Sequence, residues 1–151
     1  MTEVHIRQGN VRSGFTLVYH ELFDLYHPLI GDKATLYYTY LLRYRNNEQG
    51  GDSYGKSWQG RKGVAEKFQL SYSTLPHLDA ILEASGLISI ETKNIGRGRD
   101  KIYYVVHDPL DRERFREKNI EIEARLVAYI AENDKAKHLV GKVLKAKLTP
   151  G

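Results

Sequence analysis

The chain has 151 residues, of which 41% are hydrophobic, and this length and composition predict one domain with a modest extension around a single core. It contains no cysteine, which excludes a disulfide framework, a thiolate zinc site and a cysteine nucleophile. A formal net charge of +4 gives only a weak preference for an anionic partner. No apolar run approaches the roughly 20 residues that cross a bilayer, and the polar residues 1–11 do not resemble a signal peptide, so we expect a cytoplasmic protein without membrane contact.

The first elements follow a polar arm, residues 1–14. Residues 15–19 form a short β-like run, and an apolar-spaced segment with Leu22, Leu25 and Tyr26 follows it. Asp32 is then a suitable N-cap for a helix that extends to about Arg45. The apolar stripe of that helix consists of Ala34, Tyr37, Tyr38, Leu41 and Leu42.

Residues 50–57, GGDSYGKS, match the spelling of a P-loop, in which glycines wrap a phosphate while a lysine and a hydroxyl reach the terminal phosphates and Mg²⁺. A P-loop also needs a buried strand before it and a helix directly after it. Here the polar stretch RNNEQ precedes the motif, and the glycines of WQGRKG follow it. We therefore interpret the segment as a flexible connector and expect neither ATPase nor other enzyme activity.

Two short helices and a hairpin come next. Val64, Ala65 and Phe68 predict the first helix, and Ser71 is a suitable N-cap for the second, which ends at Gly86. LISIE and IYYVV predict two strands, joined by a tip, TKNIGRGRDK, that is rich in glycine and positive charge. The predicted fold class is α+β, mainly α, with a winged helix-turn-helix domain over residues 15–110.

Residues 111–151 form a predicted helical extension. One apolar stripe consists of Ile122, Leu126, Tyr129 and Ile130, and a second, after a charged break, of Leu139, Val140, Val143 and Leu144. These stripes can pack on the N-terminal segment of the same chain or on a second copy. The extension is therefore the candidate dimerisation element of a homodimer or a higher homo-oligomer.

A winged helix that binds duplex DNA lays its second motif helix in the major groove, while the wing contacts the backbone or the minor groove. Residues 71–85 contain no arginine or lysine, and Asp79 and Glu83 add negative charge, so we expect modest base specificity. Pro76, near the fifth helical position, is expected to tilt or kink the first turn. The predicted DNA contacts are Tyr72, Ser73, Thr74 and His77 in this helix, Arg61, Lys62 and Lys67 in the preceding one, and Lys93, Arg97, Arg99 and Lys101 in the wing. For any one of these charges, the alternative is simple solvation of a loop.

The sequence offers no catalytic or metal-binding set. Its six histidines lack metal-ligand spacing with carboxylates, and no catalytic triad or carboxylate pair is evident, so we expect no cofactor. Four of its tyrosines, Tyr37, Tyr38, Tyr40 and Tyr44, follow a helical period. We expect these to lie in the core or an interface rather than to stack on single-stranded bases.

Three segments resemble one protein family. LFDLYHPLIGDKATLYYTYL, residues 22–41, is similar to the opening of the N-terminal winged-helix domain of the DnaB/DnaD-type primosomal proteins of low-GC Gram-positive bacteria. LDAILEASGLI resembles the closing helix and first wing strand of that domain, and YYVVHDPLDRERF its exit. Plasmid replication initiators with similar N-terminal domains are also near. The resemblance implies DNA binding, self-association and help in loading a replicative helicase at an origin.

Three functions remain open at this point. The first is a winged-helix protein of replication initiation, on a plasmid, phage or chromosome, with double-stranded DNA and other initiation proteins as partners. The second is a transcriptional regulator of the same fold. The third is a protein-interaction scaffold for helicase loading. The residues after Asp111 are too few for the second domain of those loaders, which indicates a truncated or compact relative, or a winged helix reused as a regulator.

Overall fold

The computed structural model describes residues 2–10, 14–45, 56–57, 61–96 and 99–148. It is α+β and mainly α, as predicted. One π-helical turn, Leu22–Tyr26, leads into α1, and 3₁₀ turns at Tyr72–Thr74 and Asp134–Leu139 precede α4 and α6. The elements in chain order are α1 (His27–Ile30), α2 (Asp32–Tyr44), β1 (Lys56–Ser57), α3 (Arg61–Phe68), α4 (Leu75–Ser85), β2 (Ile88–Gly96), β3 (Arg99–Val106), α5 (Arg112–Glu132) and α6 (Lys142–Leu148).

The strand predicted at residues 15–19 is wrong. These residues have no regular secondary structure, and Phe15 and Leu17 are 75% and 77% exposed. Their alternation gives the segment one apolar face, but no described strand pairs with it, and an unpaired strand is not stable in water. Val18 is partly buried against the core, and the first fully buried side chains are those of Leu22 and Tyr26.

The helix predicted from Asp32 to about Arg45 is confirmed as α2, with the predicted stripe buried. The predicted N-cap is wrong, because Gly31 occupies that position with a φ of 88° and Asp32 is the first helical residue. The Asp32 side chain instead lies with Oδ1 2.6 Å from His27 Nε2. The turn before α2 thus requires a backbone conformation that only glycine adopts readily.

The P-loop-like segment is only partly described. Lys56 and Ser57 form β1, which pairs antiparallel with β3 through Val105 and Tyr104. The interpretation as a connector is therefore wrong for these two residues, because β3 offers them a strand to pair with, and residues 50–55 lie outside the described part. A P-loop lysine would stand at the N-terminus of a helix, whereas Lys56 stands in a strand.

The predicted caps are present, with Ser71 capping the 3₁₀ turn that leads into α4 and Gly86 ending α4. Ser71 Oγ accepts a hydrogen bond from Ser73 N at 3.3 Å, and Gly86 ends the helix with a φ of 85°. The expected kink at Pro76 is not needed, because the first turn is 3₁₀ and Pro76 is only the second residue of α4. Proline is well tolerated at the first positions of an α-helix, since its fixed φ fits them.

The hairpin is longer than predicted. The strand order in the sheet is β1-β3-β2, and β2 pairs with β3 from Ile88 opposite Val106 to Lys93 opposite Lys101. Most of the segment predicted as a tip therefore lies in the two strands, with an irregularity between Asn94 and Gly96. Arg97 and Gly98 lie outside the described residues.

The C-terminal extension packs on the rest of the chain. Helix α5 contacts α4, and its residues Ile122, Leu126 and Ile130 are buried in the same core as α2 and α4. Helix α6 contacts α1, and Gly141 N donates a hydrogen bond to Leu29 O at 2.9 Å. Of the second predicted stripe, Leu139, Val140 and Leu144 are buried and Val143 is 44% exposed. The stripes thus cover the chain's own N-terminal segment, and self-association stays a prediction.

Candidate nucleic-acid interface

The turn before α4 and the start of α4 form a narrow exposed surface. Tyr72 is 61% exposed, Ser73 and Pro76 are exposed, and Thr74 is half-buried. The hydroxyls of Ser71 and Ser73 lie 2.6 Å apart, which fixes the turn. The turn therefore presents hydroxyls and an aromatic ring, which can contact phosphates or base edges. Farther along α4 the exposed ionisable group is Glu83, whose charge disfavours a phosphate.

A buried carboxylate fixes α4 in place. Asp79 is 3% exposed and accepts hydrogen bonds from the hydroxyls of Tyr37 in α2, at 2.8 Å, and Tyr104 in β3, at 2.7 Å. Burial, and secondly the charge of Asp79, raises the pKa of Tyr37 far above its ordinary value, so this hydroxyl stays protonated and donates. One side chain thus links α4 to both α2 and the hairpin.

His77 does not belong to the exposed turn. Its Nδ1 lies 2.5 Å from the Tyr129 hydroxyl of α5, and the two rings meet edge to face. Nearby, Arg125 Nε donates to the carbonyl of Ala84 at 2.8 Å. Consecutive residues of a helix point in different directions, so Pro76 is exposed while His77 faces α5. His77 therefore packs against Tyr129 and does not lie beside Tyr72 and Ser73, where the sequence predicted it.

The hairpin carries the described part of the predicted wing. Lys93 and Lys101 are direct partners in the register of β2 and β3. Lys93 is exposed, and its Nζ lies 5.1 Å from the centroid of the Tyr103 ring. On the other face Thr92 is exposed and Ile102 is 46% exposed, so the hairpin extends beyond the core. Arg99 opens β3 opposite Gly96, whose φ is 91°.

The cations of α3 lie at its two ends. Arg61 and Lys62 are its first residues, where positive charge opposes the helix dipole. Lys67 is exposed in the last turn, with Nζ 5.8 Å from the Tyr40 ring. Tyr40 also packs edge to face on Phe68 and Tyr44. Lys67 thus lies beside an aromatic cluster between α2 and α3.

The contacts of three residues were not predicted from the sequence. These are the contact of Tyr103 with Lys93, of Asp79 with Tyr37 and Tyr104, and of Tyr129 with His77. The alternation in IYYVV could have placed Tyr103 on the outer face of the sheet, opposite the buried Tyr104, had the register of the hairpin been known. Nothing in the sequence pairs Asp79 with Tyr37 and Tyr104, because these contacts join positions far apart in the chain.

The remaining observations concern the tyrosines of α2, metal-binding clusters and membrane-spanning helices. Tyr37 and Tyr38 are buried in the core as expected, whereas Tyr44 is 40% exposed. Within the described ranges, no cluster of three or more histidines or carboxylates is arranged to hold a metal ion. No helix in the part of the chain that the structure describes is long and apolar enough to span a membrane.

Comparison with known proteins gives no relative. No protein-family model matches the chain, and neither a curated protein nor a solved structure is significantly similar to it.

Proposed function

We propose that the chain is a winged-helix protein that binds duplex DNA and acts in replication initiation. The connectivity supports this proposal, because α2, β1, α3, α4, β2 and β3 follow the element order of a winged helix, with β3 between β1 and β2 in the sheet. In this arrangement α3 and α4 are the helix-turn-helix pair and the β2–β3 hairpin is the wing.

The pairing of Lys93 with Lys101 is the observation that carries DNA binding. Two lysines at directly opposite backbone positions concentrate positive charge at this point of the hairpin, and like charges opposite each other disfavour a hairpin. A bound phosphate group would offset that charge. The neighbouring Tyr103 ring, already within 5.1 Å of Lys93 Nζ, fits contact with a sugar or a base.

The two parts of the surface have different roles in the proposed complex. Phosphate contacts from the hairpin and α3 supply affinity that depends on salt but not on sequence. The turn at Tyr72 and Ser73 is the part that meets base edges. Because the described surface of α4 has no cation for guanine, the expected base specificity is modest.

The role in replication rests on the resemblance of residues 22–41, 78–88 and 103–115 to DnaB/DnaD-type proteins. A transcriptional regulator would use the same surface, and the position of its DNA site relative to a promoter would distinguish it. One observation favours a scaffold for helicase loading instead: Glu83 is exposed on α4, where a groove-binding helix would carry a cation.

The experiment compares two double variants that remove the same charge. Lys93→Gln/Lys101→Gln changes the hairpin, and Lys135→Gln/Lys137→Gln changes two exposed lysines of the turn after α5. Binding to a random-sequence duplex is measured by fluorescence anisotropy over a salt series. We expect the hairpin variant to lose affinity and about two units of the slope of log affinity against log salt, since each lost phosphate contact removes about one unit.

The control variant should keep nearly the wild-type slope. The melting temperature of the hairpin variant should not fall, because the substitution removes a repulsion worth roughly 0.2–1 kcal/mol. Equal loss of affinity in both variants, or no binding of the wild type at low salt, would refute the proposed DNA contact.

A further inference from the structure

A second basic surface lies away from the proposed wing. A cleft of about 430 Å³ separates the start of α2 from the turn before α6 and from α6 itself. Its charged and titratable lining consists of His27, Asp32, Lys33, His138, Lys142 and Lys145, and its apolar wall includes Leu139 and Val140. This volume falls in the range of small-molecule sites, roughly 300–1,000 Å³.

The charges in the cleft are unbalanced. Three lysines and one aspartate leave a formal charge of +2 while the histidines are neutral. The single carboxylate is already engaged, with Asp32 Oδ1 2.6 Å from His27 Nε2. Lys33 and Lys142 are exposed, and neither has an ion-pair or hydrogen-bond partner within the described residues. An anion that enters the cleft would therefore meet two cations without displacing an existing partner.

The floor of the cleft is rigid. A Cβ atom at Gly141 would lie 2.6 Å from the carbonyl oxygen of His27, and one at Gly31 would overlap the carbonyl oxygen of Leu139. Two backbone segments thus touch directly, and the 2.9 Å hydrogen bond from Gly141 N to Leu29 O joins them. This contact fixes the backbone at the start of α2 relative to the turn before α6, and Lys33 and Lys142 are attached to these two segments.

We propose that this cleft binds the phosphate group of an anionic ligand. The ammonium groups of Lys33 and Lys142, which both line the cleft, are available to pair with the charged phosphate oxygens. The start of α2, which has no capping side chain, adds positive potential at the same edge. The phosphate belongs either to a small ester or to a nucleic-acid backbone, and the two sources share this chemistry.

The probe for the test is inorganic phosphate, titrated at constant ionic strength and followed by ³¹P NMR. The variant Lys33→Gln/Lys142→Gln is compared with Lys135→Gln/Lys137→Gln, which removes the same charge outside the cleft. We expect saturable binding to wild type, weaker by about tenfold or more in the cleft variant, since two charge-assisted contacts are lost, and nearly unchanged in the control. A titration without saturation, or equal weakening in both variants, would overturn the proposal.

Duplex DNA then identifies the source of the phosphate. Displacement of bound phosphate by duplex, together with weaker duplex binding in the cleft variant, would assign the site to the nucleic-acid backbone. Retention of phosphate and of wild-type duplex affinity would assign it to a small ligand. The phosphate titration uses no DNA, so its result stands whether or not the hairpin binds duplex.

Discussion

At the scale of single residues, Asp79 is the contact on which the position of α4 depends. Asp79→Ala leaves the buried hydroxyls of Tyr37 and Tyr104 without this acceptor, and each unsatisfied group costs roughly 1–3 kcal/mol. We expect urea unfolding to show a loss of that order. Adding Tyr37→Phe and Tyr104→Phe to Asp79→Ala should recover part of it, because no hydroxyl then needs a partner. Wild-type stability in Asp79→Ala would contradict this role.

The buried tyrosines predict how stability depends on pH. Burial is the main cause that raises the pKa values of Tyr37 and Tyr38 above the ordinary 10.0. The native state keeps protons that the unfolded chain releases above about pH 10, so the free energy of unfolding should fall there by up to about 1.4 kcal/mol per pH unit for each tyrosine. Urea unfolding between about pH 9 and pH 11 measures this slope. It should flatten in Tyr37→Phe/Tyr38→Phe, and an equal slope in that variant would disprove the assignment.

At the scale of elements, the block LYHPLIG is explained by packing. Leu29 and Ile30 are buried, and Gly31 receives the backbone of Leu139 from the C-terminal turn. Gly31 and Gly86 have similar φ values, 88° and 85°, but Gly86 has open space where a Cβ would stand. We expect Gly86→Ala to cost roughly 1–2 kcal/mol for the left-handed conformation. Gly31→Ala should cost more, because its backbone, with φ 88° and ψ 175°, is open essentially to glycine alone and because its Cβ overlaps a carbonyl. Thermal unfolding compares the two, and equal losses would contradict the close backbone contact.

The helices were predicted correctly where residues close in the sequence determine their ends and their buried face. Ser71 and Gly86 cap α4 as their chemistry requires, and the stripe of α2 is buried as its spacing predicts. Predictions failed where a distant segment decides. Residues 15–19 found no partner strand, β1 formed because β3 lies beside it, and Asp32 is not the N-cap because the contact with Leu139 requires glycine at position 31.

In the candidate nucleic-acid interface as well, features set by neighbouring residues could be predicted and features set by distant segments could not. The hydroxyl-bearing turn could be predicted from the capping pattern, and Lys93 from the charge of the wing. The register that sets Lys93 opposite Lys101 could not, because it depends on the irregularity between Asn94 and Gly96. The placement of His77 against Tyr129 depends on α5, whose docking face was left open by the sequence.

At the scale of the whole molecule, the C-terminal extension is part of one core and not an appended arm. Ile122, Leu126 and Leu144 are fully or almost fully buried together with residues of α1, α2 and α4. Removal of the extension should therefore destabilise the fold, so truncation cannot serve as a test of dimerisation. Apolar residues still exposed for a dimer are Ile120 and Val143 on the extension, 81% and 44% exposed, and Phe23 and Leu36 outside it, 54% and 52% exposed.

The proposed function depends on contact of duplex DNA with the hairpin and with the turn before α4. A ¹H–¹⁵N NMR titration of the labelled chain with a random-sequence duplex at low salt tests this contact. We expect the amides that shift most to cluster at Tyr72–Thr74 and along β2 from Lys93 to Gly96. Shifts confined to another surface, such as that around Phe23 and Leu36, or no shifts at all, would contradict it.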